Sequence, residues 1–535
     1  MKRIYAVLTV LLAVSLICGS CSQKKDEIRN EEKELTVAIS ADTGSMDPAG
    51  SIALTYLAYS VTALDELLTY DSDGRIEYRS AKSYEVNEDS TIWTFHLREE
   101  AVWSDGSPVT SSDFVNTMQR ALDPVSQSGY AVYLFPIRNA EAIYNGEKGI
   151  EELGVETPDE YTLIFYLESP CVYFLDLLRL PVYTPSCQKY ATETGNGWDK
   201  DPSTSVSNGP FYLKEYVPEQ YFVLEKNERY WNADQIQLNR ITYRFFADQQ
   251  SMANAYEAGE VDVATSLPSY VMELYQGKAD LVVTNQIATR YIYPNLDVEP
   301  LQDVRVRKAL SLAIEREELC KIVGDDTEPT VNLVAKRMKD KATGNYFVEE
   351  ADPPFEENIE EARELLAEAG YPNGEGFPTL TYNYPTLELD SDTAQVLKEQ
   401  LKRNLNINVE LKAQELQVNY SDRHAGNFEL CRMNWTADFT DPYTYLSLLL
   451  TNSTYNCNGV KDAEYDALVK ASDSETDPEK RSQLLHQAEQ LAVGKQFYVI
   501  PLFSMKSCNL IRPEIIGITQ IAATGALEYR YADRR

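Results

Sequence analysis

The run from Leu380 to Leu411 narrows the possible folds most. Leu380-Thr381-Tyr382-Asn383-Tyr384 reads as a strand, Thr393 to Leu405 as a helix, and Ile407-Asn408-Val409-Glu410-Leu411 as a second strand. Two strands joined through a helix default to a parallel pair with a right-handed crossover. The surrounding chain is helical in texture: Val304 to Ile314, Asn358 to Ala369 (ended by Gly370, with Pro372 after it) and Pro478 to Ala492, then a buried strand Phe497 to Phe503. Before residue 287, hairpins dominate. Glu34 to Ile39 is a first strand, Ser45 to Pro48 a turn, and Ser51 to Leu67 has helical periodicity. Trp93 to Leu97 alternates as a strand, and Val155 to Leu167 is a hairpin turning at Pro158-Asp159-Glu160. Another hairpin runs from Ser207-Asn208-Gly209-Pro210 through Tyr221 to Glu225, and Gly259 ends a helix ahead of a strand. Tyr291 to Leu296 is a strand. The chain has 535 residues, no internal repeat and no low-complexity linker. That length implies two to four domains or lobes, joined by short crossings rather than strung as beads.

Charge excludes one class of partner. With 84 acidic against 49 basic residues the formal net charge is −35, whereas nucleic-acid binding needs clustered Lys and Arg. The N-terminus has the layout of a targeting segment. Lys2 and Arg3 precede an apolar run from Ile4 to Ile17 that is too short to span a bilayer, and it ends in Cys18-Gly19-Ser20-Cys21. The segment resembles a bacterial lipoprotein signal. Gly19 and Ser20 fit cleavage before a lipidated Cys21, so residues 1–20 are the expected signal peptide. Loss of Lys2 and Arg3 takes the mature charge to −37 (−35 − 2). Residues 21–34 read as a polar tether, which places the body outside the cytoplasm at the membrane surface. Six further cysteines (Cys171, Cys187, Cys320, Cys431, Cys457 and Cys508) have irregular spacings, and lone buried thiols are expected for most of them.

Two runs stand out. Ala101-Val102-Trp103-Ser104-Asp105-Gly106-Ser107-Pro108-Val109 reads as a strand, an Asp-Gly turn and a strand, followed by a helix that Thr110 or Ser111 can cap with Asp113 in its first turn. Its expected role is structural. Cys431-Arg432-Met433-Asn434-Trp435-Thr436-Ala437-Asp438 follows a strand over Phe428 to Arg432. Arg432 offers a fork to a carboxylate, Asp438 accepts from an ammonium, and Trp435 excludes water. The same residues also suit an internal Arg432–Asp438 ion pair with Trp435 as packing.

Signals for catalysis are missing. The three histidines, His96, His424 and His486, have no metal-ligand spacing, and there is no nucleophile elbow, Walker loop or dinucleotide glycine motif. No enzyme, cofactor or metal is expected.

These runs resemble one family. Trp103-Ser104-Asp105-Gly106-Ser107-Pro108-Val109-Thr110 with Asp113-Phe114 looks like the signature of the oligopeptide-binding proteins of ABC importers, the peptide- and nickel-binding class of solute-binding proteins. Leu153-Gly154-Val155, Asn208-Gly209-Pro210-Phe211, Asn227 to Asn232 and Asp303 to Leu310 support it. The resemblance implies an α/β fold: a two-lobed type II clamshell with an extra α+β domain. Lobe I would be 35–64, 188–286 and 506–535, the extra domain 65–187, and the other lobe 287–505. It implies an extended peptide held through its backbone, with Asp438 receiving the ammonium and Arg423 and Arg432 meeting the carboxylate. Tyr130 and Trp435 would be walls, and Ala437 would lie beside the ligand. Ile52 stands where a relative carries Glu, and Asp390 or a neighbour where one carries His. The implied partners are an oligopeptide, permease subunits with cytoplasmic ATPases, and the membrane through the lipid, with the protein itself a monomer. Other readings are a different solute (dipeptide, nickel chelate, sugar or haem), a surface sensor of peptide signals, or an extracellular hydrolase.

Overall fold

The computed structural model describes residues 33–40, 44–50, 54–70, 75–126, 128–191, 197–324, 326–521 and 526–535. The signal segment, Cys18, Cys21, most of the tether and Ile52 lie outside the described residues.

Two long antiparallel strands organise the chain. Leu281–Pro294 and Ile500–Ile511 lie side by side at the centre of an eleven-stranded sheet. On one side of this pair stand Leu430–Thr436, Leu380–Pro385 and Val409–Gln414. On the other stand Val263–Leu267, Glu34–Ser40, Arg240–Phe246, Tyr221–Lys226 and Phe211–Val217. The pairing is in two pieces. Leu281 to Asn285 faces Leu510 to Lys506, and Thr289 to Ile292 faces Ser504 to Ile500, with a register shift between Asn285 and Thr289. Such a shift bends a strand and increases its twist locally. The sheet therefore turns where both strands pass from one half to the other.

Texture misled at this crossing. The change read near 287 falls inside a continuous strand, and the strands read as Tyr291 to Leu296 and Phe497 to Phe503 are in fact Leu281–Pro294 and Ile500–Ile511. The last eight residues of Leu281–Pro294 are all buried, whereas five of the first six are half-buried or exposed and three of the six, Thr284 to Gln286, are polar. Ser504, Lys506 and Ser507 interrupt the apolar pattern of the partner strand in the same way, and Phe497 has φ 50°, which a strand residue does not adopt.

Leu380–Pro385 and Val409–Gln414 pair in parallel, Leu380 opposite Val409, across the helix Glu388–Leu405. That helix begins five residues earlier than its apolar pattern indicates, so Asp390 lies in its first turn, where negative charge is favoured. A separate four-stranded sheet joins Ala81–Val86, Ile92–Leu97, Thr162–Tyr166 and Val155–Asp159. Against it lies the helix Ser111–Leu122, with Thr110 as its N-cap and the Thr110 backbone N–H donating to the Asp113 carboxylate. The Trp103 motif forms only an isolated bridge, Val102 to Pro108, not two strands. Its function is internal: Trp103 is buried and its Nε1 donates to Asp113 Oδ2 at 3.2 Å, which also accepts from Thr110 N at 2.9 Å.

Apolar side chains gather into separate cores. One runs from Ile287 to Phe503, another from Ala49 to Val206, and a third combines Leu35 to Leu64, Phe211 to Val263 and Ile511 to Ala532. The second core admits one residue from the 287–503 stretch, Phe439. All six described cysteines are free thiols.

Candidate functional site

Phe439 enters the foreign core because of what the chain does just before it. Leu430–Thr436 pairs antiparallel with Leu281–Pro294, placing Arg432 opposite Ile292 and Trp435 opposite Thr289. The strand starts two residues later and ends four residues later than the sequence reading, so Trp435 is in the sheet. Ala437 adds one more rung, donating to Ile287 O at 2.8 Å. At Asp438 the chain leaves the sheet and meets Tyr130 and Tyr133, which flank the start of a short 3₁₀ turn, Ala131–Leu134. Tyr133 donates its hydroxyl to Asp438 Oδ2, and Tyr130 reaches Oδ1 at 3.5 Å.

No Lys, Arg or His lies in ion-pairing range of Asp438 among the described residues. Burial therefore pushes its carboxyl up to about 6, although both tyrosine hydroxyls favour the charged form. A carboxylate held by two hydroxyls and lacking a cation is an acceptor for one. In the ligand-free protein this group takes up its proton near pH 6. An ammonium ligand needs it ionised, so affinity is expected to be flat above pH 6 and to fall about tenfold per pH unit below it. Titration calorimetry of an uncharged-side-chain peptide between pH 4.5 and 8 checks this, with Asp438→Asn as a pH-insensitive control. A flat wild-type profile contradicts it.

The internal Arg432–Asp438 pair is not formed. Arg432 Nε instead donates to Asp390 Oδ1 at 3.0 Å, an oxygen that also accepts from Arg290 Nη1. Burial draws the Arg432 guanidinium down to about 10, and it draws Arg290 well below its usual range, with Arg432's like charge adding to the effect. Arg423 closes the helix Leu416–His424. It is buried, stacks 4.3 Å over the Tyr420 ring, and its Nε finds no hydrogen-bond partner. Trp435 packs edge-on against Tyr455 at 4.8 Å and donates to Thr444 Oγ1 at 3.2 Å. The structure thus joins Tyr130 to Asp438, places Ala437 just past the end of the strand that carries Trp435, and gives Arg432 and Arg423 different partners.

Sequence reasoning missed the second side of the site. Tyr173 is sandwiched between Phe439 at 4.8 Å and Tyr443 at 5.1 Å, and its hydroxyl donates to Asp473 at 2.6 Å. Asp176 accepts from Thr440 Oγ1 and from Lys341 Nζ, both at 2.6 Å. Asp441, with no exposed surface, receives a two-pronged bond from Arg481 at 2.8 and 2.9 Å. These contacts join residues 40 to 300 positions apart, and spacing along the chain carries no trace of them. Only Tyr133 had a local signal, three residues after Tyr130.

Among the described residues no group of three or more His, Cys, Asp or Glu could hold a metal, and no helix is long and apolar enough to cross a membrane. The chain has many relatives. The Escherichia coli periplasmic oligopeptide-binding protein OppA is 32% identical over 534 residues, covering 95% of this chain and 93% of that one. A periplasmic oligopeptide-binding protein of Borrelia burgdorferi superposes with a TM-score of 0.82 at 30% identity, covering 94% of this chain and all of that one. The Escherichia coli murein tripeptide-binding protein MppA gives 0.83 at 28%, covering 94% and 99%. These structures carry the two-lobed α/β fold expected from the sequence. The sequence model of the bacterial extracellular solute-binding proteins, family 5, matches residues 75–457. This chain belongs to the bacterial extracellular solute-binding proteins of family 5, which bind solutes and are not enzymes.

Proposed function

We propose that this protein captures oligopeptides outside the cytoplasm and delivers them to the permease subunits of an ABC importer. The observation that carries the reading is Asp438: a carboxylate set between two tyrosine hydroxyls, lifted to about 6 by burial, with no cation beside it among the described residues. A peptide's free ammonium completes it. A neutral sugar would leave it uncompensated. The names of the relatives, oligopeptide-binding and murein tripeptide-binding, point the same way. Arg423, buried without a carboxylate partner among the described residues, suits the other end of a zwitterion. Trp435, Tyr130 and Ala437 line the ligand's path.

The proposed lobes are 35–64 with 188–286 and 506–535, and 287–505, with 65–187 as the extra domain. The separate cores and the register shift after Asn285 support this division. The Tyr173 sandwich and the Asp176–Lys341 bond bridge the last two units and would hold the cleft shut on its ligand. Small-angle scattering is expected to give a smaller radius of gyration with saturating peptide. An unchanged radius with peptide demonstrably bound contradicts closure.

We further propose a monomer anchored by lipid at Cys21 through the 21–34 tether. Mass spectrometry of protein extracted from membranes tests address and cargo together. Acylated Cys21 and co-purifying peptides are expected. An unmodified N-terminus removes the anchor, and a Cys18-modified one removes its assignment to Cys21. Ligands without a free amino group remove the peptide reading.

A further inference from the structure

A cavity away from Asp438 gathers polar groups that the protein leaves unsatisfied. It holds about 450 Å³ and lies where the strands Leu380–Pro385, Val409–Gln414 and Leu430–Thr436 begin side by side. The register sets Thr381 beside Glu410, and Thr381 N donates to Glu429 Oε2 at 2.6 Å. Glu410 and Glu429 thus stand on either side of one small residue, and both line the cavity. At the usual spacing of neighbouring strands their Cα atoms are about 10 Å apart. Neither glutamate has an ion pair among the described residues. Lys412 is also in the lining, but its ammonium is given to Asp422 at 3.2 Å. Asn383 lines the same cavity, two residues on from Thr381 and so on the same face. It is 1% exposed, its Nδ2 donates to Asn427 O at 3.2 Å, and its Oδ1 has no hydrogen-bond partner.

We infer that this cavity is a second binding site, for an aliphatic diamine. Two uncompensated carboxylates and a buried orphan amide oxygen are all acceptors, and they lack donors that carry positive charge. An ammonium supplies three such donors. One end of the ligand pairs with Glu410 and the other with Glu429, through charge-assisted bonds, and Asn383 Oδ1 takes a remaining N–H. Leu411 and Phe428 complete the lining and give the methylene stem an apolar surface. A bare metal ion would fill little of this volume and use none of that surface. The site is separate from the peptide cleft. Glu429 and Asp438 flank opposite ends of Leu430–Thr436, roughly 30 Å apart at the usual rise of a strand.

The test is calorimetry with α,ω-diaminoalkanes of three to six carbons on the full chain. It is run in 0.15 M salt, which screens general attraction to a chain of net charge −35. Saturable binding of one diamine per chain is expected, unchanged by saturating peptide or by Asp438→Ala. Glu410→Gln and Glu429→Gln should each weaken it about ten- to a hundredfold, and the monoamine of equal length should bind wild type more weakly by a similar factor. Glu410 is exposed, so Glu410→Gln decides the matter should Glu429→Gln fail to fold. Diamine binding should also raise the melting temperature of wild type and leave that of Glu410→Gln nearly unchanged. Three results overturn the inference: no saturable binding at any chain length, equal binding by wild type and Glu410→Gln, or loss of binding with peptide present, which would place the diamine in the cleft. Displacement of the diamine by an equal concentration of calcium chloride would make this a metal site and overturn it as well.

Discussion

Asp438→Ala is expected to weaken peptide binding by about 2–5 kcal/mol, roughly thirty- to several-thousand-fold in affinity. The magnitude follows from burial. Asp438 has two hydroxyl donors but no cation among the described residues, so the free protein carries the cost of a desolvated charge, which in the proposed complex the ligand's ammonium offsets. Removing the carboxylate leaves the ammonium buried without a partner. The sign of the stability effect is opposite. Asp438 has a folded pKa of about 6, above its usual value. Its ionised form therefore destabilises the unliganded fold above pH 6, and that cost is relieved as pH falls through 6. Asp438→Asn keeps an oxygen for the tyrosine hydroxyls. It should lose binding while folding as well as wild type or better at pH 7.5. A variant that loses stability and binding together would make Asp438 structural.

Asp441→Ala should do the reverse. Three positions further on, Asp441 is sealed from solvent and doubly bonded to Arg481, itself buried. Burial alone would raise this carboxyl, but Arg481 and then Lys341 hold it below its usual value. Breaking a buried pair by removing one partner costs about 3–5 kcal/mol, because the remaining charge is left uncompensated. The Arg481 guanidinium also lies 5.8 Å from the Tyr173 ring, and Lys341 bonds to Asp176. The loss therefore falls on the fold and on the contact across the cleft at once. Urea unfolding should find the destabilisation in unliganded protein, and Asp441→Ala with Arg481→Met should recover part of it. Equal stability of wild type and the single variant would contradict this account.

The two aspartates show what a sequence can and cannot disclose. Both sit in one turn, Asp438-Phe439-Thr440-Asp441, and nothing local separates the proposed acceptor of the ligand from a structural anchor. The distinction comes from what lies opposite: hydroxyls from Tyr130 and Tyr133 in one case, Arg481 in the other. The α/β strand–helix–strand unit at 380–414 was legible because its apolar periods are clean. The crossing of Leu281–Pro294 with Ile500–Ile511 was not, because the crossing segments expose polar residues and mimic strand ends. In the sequence Asp390 is marked only by the family resemblance, which places it or a neighbour at a position of interest. Its bond to Arg432 joins residues 42 positions apart, and spacing gave no hint of it. The Trp103 motif was legible in role but not in form. Its capping acid and buried indole are local, whereas the absent second strand depended on tertiary pairing.

The central claim is that the partner of Asp438 is the ligand's free ammonium. A thermodynamic cycle tests it most directly: wild type and Asp438→Ala, each titrated with one peptide bearing a free or an acetylated amino terminus. The account predicts that acetylation weakens wild-type binding about as much as Asp438→Ala does. It also predicts that acetylating the peptide adds almost nothing to the variant's loss, because both changes remove the same contact. Additive losses, or equal binding of free and acetylated peptide by wild type, would contradict it.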